Sequence, residues 1–75
     1  MANAFVLINV EIGAEAEVLG DLRTIPEVTE AHLVYGVYDI IAIVETSELQ
    51  ELKDAVSYKL RRLDKVHSTL TMIVV

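Results

Sequence analysis

The chain contains no cysteine. Disulfides and thiolate-held metals are thereby excluded, and two histidines, His32 and His67, are too few for a zinc site. No apolar run approaches the ~20 residues a membrane helix needs. The first residues, Met-Ala-Asn-Ala-Phe, place no basic segment ahead of an apolar one, so no secretory signal is read there. There is no linker, low-complexity tract or internal repeat, no P-loop and no Gly-x-Gly-x-x-Gly. Basic residues are scarce: six against twelve acids, for a formal charge of −6. Such a chain is repelled by phosphate backbones on average. These absences lead to an expectation of a cytoplasmic protein with no cofactor, no metal and no membrane partner.

What is present is apolar side chain, at 53% of 75 residues. One domain, residues 1–75, is all that this length allows. A core of that size is worth only a few kcal/mol net, and without disulfides or metal the remaining support is oligomerisation. The apolar content also exceeds what a lone small domain buries.

Six elements are predicted. Ala4–Glu11 is a strand whose two faces, Phe5/Leu7/Asn9 and Val6/Ile8/Val10, are both largely apolar. Ala14–Ile25 is a helix with Glu15 and Glu17 in its first turn, a Val18/Leu22/Ile25 stripe, and Pro26 as its stop. Val28–Tyr35 is a strand with Val28, Glu30, His32 and Val34 on one side; its polarity marks it as an edge. Asp39–Glu45 is a strand apolar on both faces, joined to its predecessor as a hairpin. Ser47–Leu63 is a helix, with Ser47 and Gln50 at capping-box spacing and Leu49, Leu52, Val56, Leu60 and Leu63 at the helical period. Asp64-Lys65 turns into a last strand, Val66–Val75. Lys59, Arg61, Arg62 and Lys65 crowd the end of the second helix, where they favour its dipole.

The order β-α-β-β-α-β with right-handed crossovers is the α+β, ferredoxin-like plan: a four-stranded antiparallel sheet with two helices on one face. Two helices cover only one face, yet the first and third strands are apolar on both. A second copy is the simplest cover, so a homodimer joined through the open sheet faces is expected.

Catalysis finds little to use. Ser47 suits a cap, Ser57 lies mid-helix, and Ser68 adjoins His67 on a strand, where neighbours point to opposite faces. Asp39 and Glu45 are about 20 Å apart at ~3.3 Å per residue, too far for a carboxylate pair. No enzyme is expected; the one enzyme-like alternative is a dimeric barrel with an internal pocket and His32 or His67 as base. The same fold plan serves RNA recognition, but the stacking aromatics that function needs are missing. A free amino acid is the third option. Its carboxylate needs backbone N–H donors, which a turn around Gly36 can present. Its ammonium needs an acid such as Asp39, its side chain needs a wall such as Tyr38, and Ser68, Thr69 and Thr71 supply hydroxyls. The plainer reading, in which Gly36 turns, Tyr38 packs and Asp39 ends a strand, accounts for the same residues.

The whole chain resembles the effector-binding (RAM) domain of the Lrp/AsnC family of transcription regulators. The likeness rests on the element order, on VTEAHLVYGVYDIIAIVE across the hairpin, and on HSTLTMIVV in the last strand. The hairpin carries the family's Gly-x-Tyr-Asp pattern as Gly36-Val37-Tyr38-Asp39. The resemblance implies a domain that dimerises through its sheets, with dimers gathering into octamers and amino-acid effectors bound near this hairpin between dimers. It assigns effector contact to Gly36, Tyr38 and Asp39, and more loosely to Ser68, Thr69 and Thr71. Family regulators carry a helix-turn-helix ahead of this domain. Here Met1 opens almost directly onto the first strand, so a stand-alone domain is expected, with no direct DNA binding and with full-length Lrp/AsnC-type regulators as partners for co-assembly. A structural oligomerisation module without ligand is the other alternative.

Overall fold

The computed structural model describes all 75 residues. Four strands, β1 (Ala2–Val10), β2 (Val28–Leu33), β3 (Ile40–Thr46) and β4 (Val66–Ile73), form one antiparallel sheet in the order β2-β3-β1-β4. The two strands that read as apolar on both faces, β1 and β3, are the inner pair. The polar second strand is an edge, as expected from its composition, since an edge strand leaves one flank to water.

Helices α1 (Glu15–Leu22) and α2 (Leu49–Ala55) cover one face. Val18 and Leu22 of the first, and Leu52 and Ala55 of the second, join Ala4, Val6, Ile8, Ile40, Ala42 and Val44 in a single buried core. Each inner strand sends alternate residues into that core, as a period of two requires.

The first helix stops at Leu22 rather than reaching Ile25. Thr24 and Ile25 donate backbone N–H bonds to Asp21 and Leu22 in a tight turn, and the residue before Pro26 is disfavoured in helix. The second helix begins one residue later than its capping-box spacing predicted. Glu48, not Ser47, is the cap, and its N–H donates to the Glu51 carboxylate at 3.2 Å. Beyond Ala55 the helix widens into a π-helical turn, Val56–Leu60, in which Arg61 N–H reaches back to the Val56 carbonyl. The predicted strand ends at Tyr35 and Val75 also frayed inward, to Leu33 and Ile73.

Two bulges alter the predicted alternation. The β2–β3 register shifts between Val28 and Glu30. Val28 therefore shares the helix-covered side with Ala31, and not the side of Glu30 and His32. In β4 the shift lies opposite Asn9 and Val10, which pair with Ser68 and Val66. His67 is the extra residue.

The uncovered face is orderly. Across the strands, Glu30, Ile43, Phe5 and Met72 form one register row, and His32, Ile41, Leu7 and Leu70 the next. Six apolar side chains thus make a patch over β3, β1 and β4. Glu30 and His32 bound it on the β2 side, Asn9 and Ser68 at one end, and Asn3 and Glu45 at the other. An apolar centre inside a polar rim is the anatomy of a protein interface.

Candidate functional site

The hairpin after β2 closes through Val34 N–H on the Asp39 carbonyl. Its tip is wholly open: Tyr35 and Val37 are 108% and 87% exposed. Gly36 has φ near 159°, on the margin of ordinary extended backbone, and a Cβ there would meet nothing within 4 Å. Glycine at this position is therefore not demanded by the chain's own packing, and the space beside it is free. Tyr38 is half-buried, and its hydroxyl has no hydrogen-bond partner.

Asp39 is held from both ends. Its N–H donates to the Ile8 carbonyl at 3.0 Å. Its Oδ2 accepts the Val10 N–H, also at 3.0 Å. It thus ties the hairpin to the end of β1 through Oδ2, while Oδ1 has no hydrogen-bond partner in the chain. One residue back on β1, Asn9 donates from Nδ2 to Ser68 Oγ at 3.2 Å on β4. Tyr38, Asp39, Asn9 and Ser68 consequently gather at one end of the sheet.

Thr69 and Thr71 do not belong to that group. They pair with Ile8 and Val6, both fully buried, so they face the helix side while Ser68 faces the open side. There they form one wall of a groove of about 380 Å³ between β4 and the second helix. Leu52, Val56 and Ile73 supply its apolar surface; Lys53, Ser57 and Arg61 supply polar groups from the helix. Its volume falls in the range of small-molecule pockets, although the groove is open and only three of its eight lining residues are apolar. The six residues expected to act together are therefore divided between two separate surfaces of the single chain, one at the hairpin and one in the groove.

Sequence reasoning does not pick out Asn9 or Lys53, weighs Ser57 only as a nucleophile, and treats Arg61 only as part of a basic cluster. The bulge at His67 decides which β4 residue meets Asn9, and no periodicity announces a bulge. The basic cluster 59–65 does not act as one unit. Lys59 pairs with Glu27 at 2.9 Å, Lys65 with Glu17 at 2.8 Å, and the Arg62 guanidinium lies 5.6 Å from the Tyr58 ring centre. The Lys59 ammonium lowers the Glu27 carboxyl pKa, and Glu17 raises that of Lys65.

The histidines lie on opposite edges of the sheet. His32 sits 3.1 Å from Glu30 on the open face, and His67 is exposed in the bulge. Three strand intervals and three residues along β4 separate them, which is more than ~14 Å, and no nucleophile is positioned by either. No group of three or more His, Asp or Glu side chains is arranged to hold a metal.

Known proteins share this fold. The family model for the Lrp/AsnC ligand binding domain matches residues 3–75. An uncharacterised HTH-type transcriptional regulator of Pyrococcus abyssi is 34% identical over 70 residues, covering 93% of this chain and 44% of that protein. The chain thus spans under half the length of that curated relative. Among solved structures, FFRP-DM1 superposes with a TM-score of 0.95 at 41% identity over the full length of both chains. AsnC of E. coli superposes at 0.89 with 28% identity, over 97% of this chain and 50% of that one. A transcriptional regulator of Neisseria meningitidis in complex with L-Met shares the fold, at a TM-score of 0.83 and 17% identity. With the fold, the hairpin motif and the full-length family match in agreement, the chain belongs to the Lrp/AsnC ligand-binding domain family.

Proposed function

We propose that this protein is a non-enzymatic regulatory domain that binds a free amino acid or a related small effector between subunits. Its sheets pair face to face in a homodimer, and dimers gather further, an octamer being the size the resemblance implies. It acts in the cytoplasm and modulates Lrp/AsnC-type regulators by co-assembling with them.

One observation carries the reading: the polar groups suited to an amino acid fall on two exposed surfaces of one chain. The hairpin with Gly36, Tyr38 and Asp39 projects from one, and Thr69 and Thr71 line the groove on the other. Neither surface encloses a ligand, whereas a hairpin from a neighbouring subunit laid against the groove would do so. The open space beside Gly36 and the exposed Tyr35 and Val37 suit that insertion. The sheet pairing draws support from the six-residue apolar patch and from Asn3, whose Oδ1 is buried at the rim with no partner in its own chain. Such an atom costs ~1–3 kcal/mol unless a neighbour satisfies it.

A purely structural module is the competing reading, favoured by the bond that ties Asp39 to the Val10 amide. Calorimetric titration with the common amino acids, together with solution mass in their presence and absence, separates the two. Heat of binding and a mass change with one or more amino acids are expected. Silence across the panel, with no change in mass, refutes the sensing role.

A further inference from the structure

The chain has six basic side chains, and four are engaged internally. Lys59 and Lys65 hold Glu27 and Glu17, Arg23 donates to the Ala31 carbonyl at 3.0 Å, and Arg62 lies on Tyr58. Only Lys53 and Arg61 have no ion pair, hydrogen bond or aromatic contact, and both line the same groove. In a protein of charge −6 this is selective. Acids outnumber bases two to one, yet none stands against these two cations.

Their spacing explains part of it. Lys53, Ser57 and Arg61 follow one another at four-residue intervals, so they form a stripe along the helix. The positions three and four away from Lys53 are Leu49, Gln50, Val56 and Ser57, none of them acidic. Nearby acids are turned elsewhere: Glu51 takes the Glu48 N–H, and Asp54 accepts from Gln50 at 3.0 Å. Asp64, three residues beyond Arg61, forms no ion pair with it. Thr69 and Thr71 face the stripe from β4. The π-helical turn falls on this wall, and Val56 and Ser57 belong to both turn and groove. Such turns are kept mainly where a site needs them, because their hydrogen-bond geometry is inferior to that of an α-helix.

We infer that the effector of this groove carries a second anionic group besides its α-carboxylate, so that acidic amino acids and their phosphorylated counterparts are its ligand class. This rests on the proposed amino-acid binding. Lys53 and Arg61 each take one anionic group, the three hydroxyls complete the hydrogen bonding, and Leu52, Val56 and Ile73 hold the aliphatic part. A neutral amino acid leaves one cation without a partner in a partly desolvated groove, and that is the source of the selectivity.

The test is titration of the intact protein with three near-isosteric pairs at low salt: L-glutamate and L-glutamine, L-aspartate and L-asparagine, O-phospho-L-serine and L-serine. At least one anionic member should bind about tenfold or more tightly than its neutral twin, as a charge-assisted bond implies. The pair that discriminates tells carboxylate from phosphate. The preference should shrink at ~0.5 M salt, where charges are screened beyond a few ångströms. The Lys53→Gln, Arg61→Gln double variant should bind the anionic member at least about tenfold more weakly, with unchanged far-UV circular dichroism to report that it is folded, and full affinity in that folded variant overturns the inference. Neutral twins binding as well as or better than the anionic ones overturn the inference and leave amino-acid binding intact. No binding by any amino acid overturns both.

Discussion

Leu70→Glu tests the open face directly. Leu70 lies in the row His32, Ile41, Leu7 and Leu70, and it is 45% exposed in the single chain. Full burial of a leucine side chain contributes ~1.5–3 kcal/mol, so covering the remaining part is worth about 1 kcal/mol per subunit. The substitution removes that and sets a carboxylate against the partner's apolar patch. After relaxation the effective penalty for such an ion is several kcal/mol; taking about 2 kcal/mol for a rim-adjacent position, each subunit loses about 3 kcal/mol. A twofold interface counts every substitution twice. The dimer is then weaker by about 6 kcal/mol, or ~10⁴-fold in dissociation constant. The isolated chain loses only the cross-strand contact with Leu7, under ~1 kcal/mol, and stays folded. Sedimentation equilibrium across a wide concentration range is the assay. The unsubstituted protein should run at a multiple of 8.3 kDa, and the variant at one subunit mass with unchanged far-UV circular dichroism. Ala16→Glu, on the exposed side of α1, should leave the mass unaltered. A Leu70→Glu protein with the mass of its parent at every concentration refutes pairing through this face.

Three further outcomes follow from individual contacts. Leu22→Ala empties a fully buried position and should cost ~2–5 kcal/mol, lowering Tm by ten degrees or more in a thermal melt; a loss under ~1 kcal/mol would mean the core is not closed there. Asp39→Ala strips the Val10 N–H of its acceptor and should cost ~1–2 kcal/mol in urea unfolding. Asp39→Asn keeps an acceptor and should nearly restore stability while weakening effector binding, and full affinity in the Asn variant would remove Asp39 from the ligand. Glu27 has a folded-state pKa below its ordinary value of 4.5, owing first to the Lys59 hydrogen bond. Its contribution is therefore complete above the unfolded value and is lost as pH falls through the folded one. The pair is partly exposed, so its coupling in a double-mutant cycle with Glu27→Gln and Lys59→Met should be ~1 kcal/mol or less, and should vanish in acid. Coupling that persists in acid contradicts the assignment.

The strand patterns were legible because burial on two faces leaves an unambiguous mark: Phe5, Leu7, Ile41 and Ile43 are apolar where a surface strand would alternate. The same holds for the polar edge β2 and for the Gly-x-Tyr-Asp hairpin. Helix ends were less so. Ile25 fits the helical period and Ser47 the capping-box spacing, and only the turn made by Thr24 and the Glu48–Glu51 bond set the true limits. The π-helical turn at Val56–Leu60 also escaped notice, since its residues keep an apolar helical period.

The candidate site shows the division most clearly. The amino-acid order by itself determined the element sequence, the doubly apolar inner strands and the identity of the hairpin, because these depend on local periodicity and on turn chemistry. Tertiary structure alone decided which of those groups meet. A bulge of one residue at His67 put Ser68 with Asn9, and strand alternation sent Thr69 and Thr71 to the opposite face. Lys53 and Arg61 became a pair of unmatched charges because Arg62 lies on Tyr58, four residues before it, and Arg23, Lys59 and Lys65 find partners across the fold, as distant in sequence as Glu17 is from Lys65. Such pairings are set by three-dimensional proximity, and no local pattern in the chain encodes them.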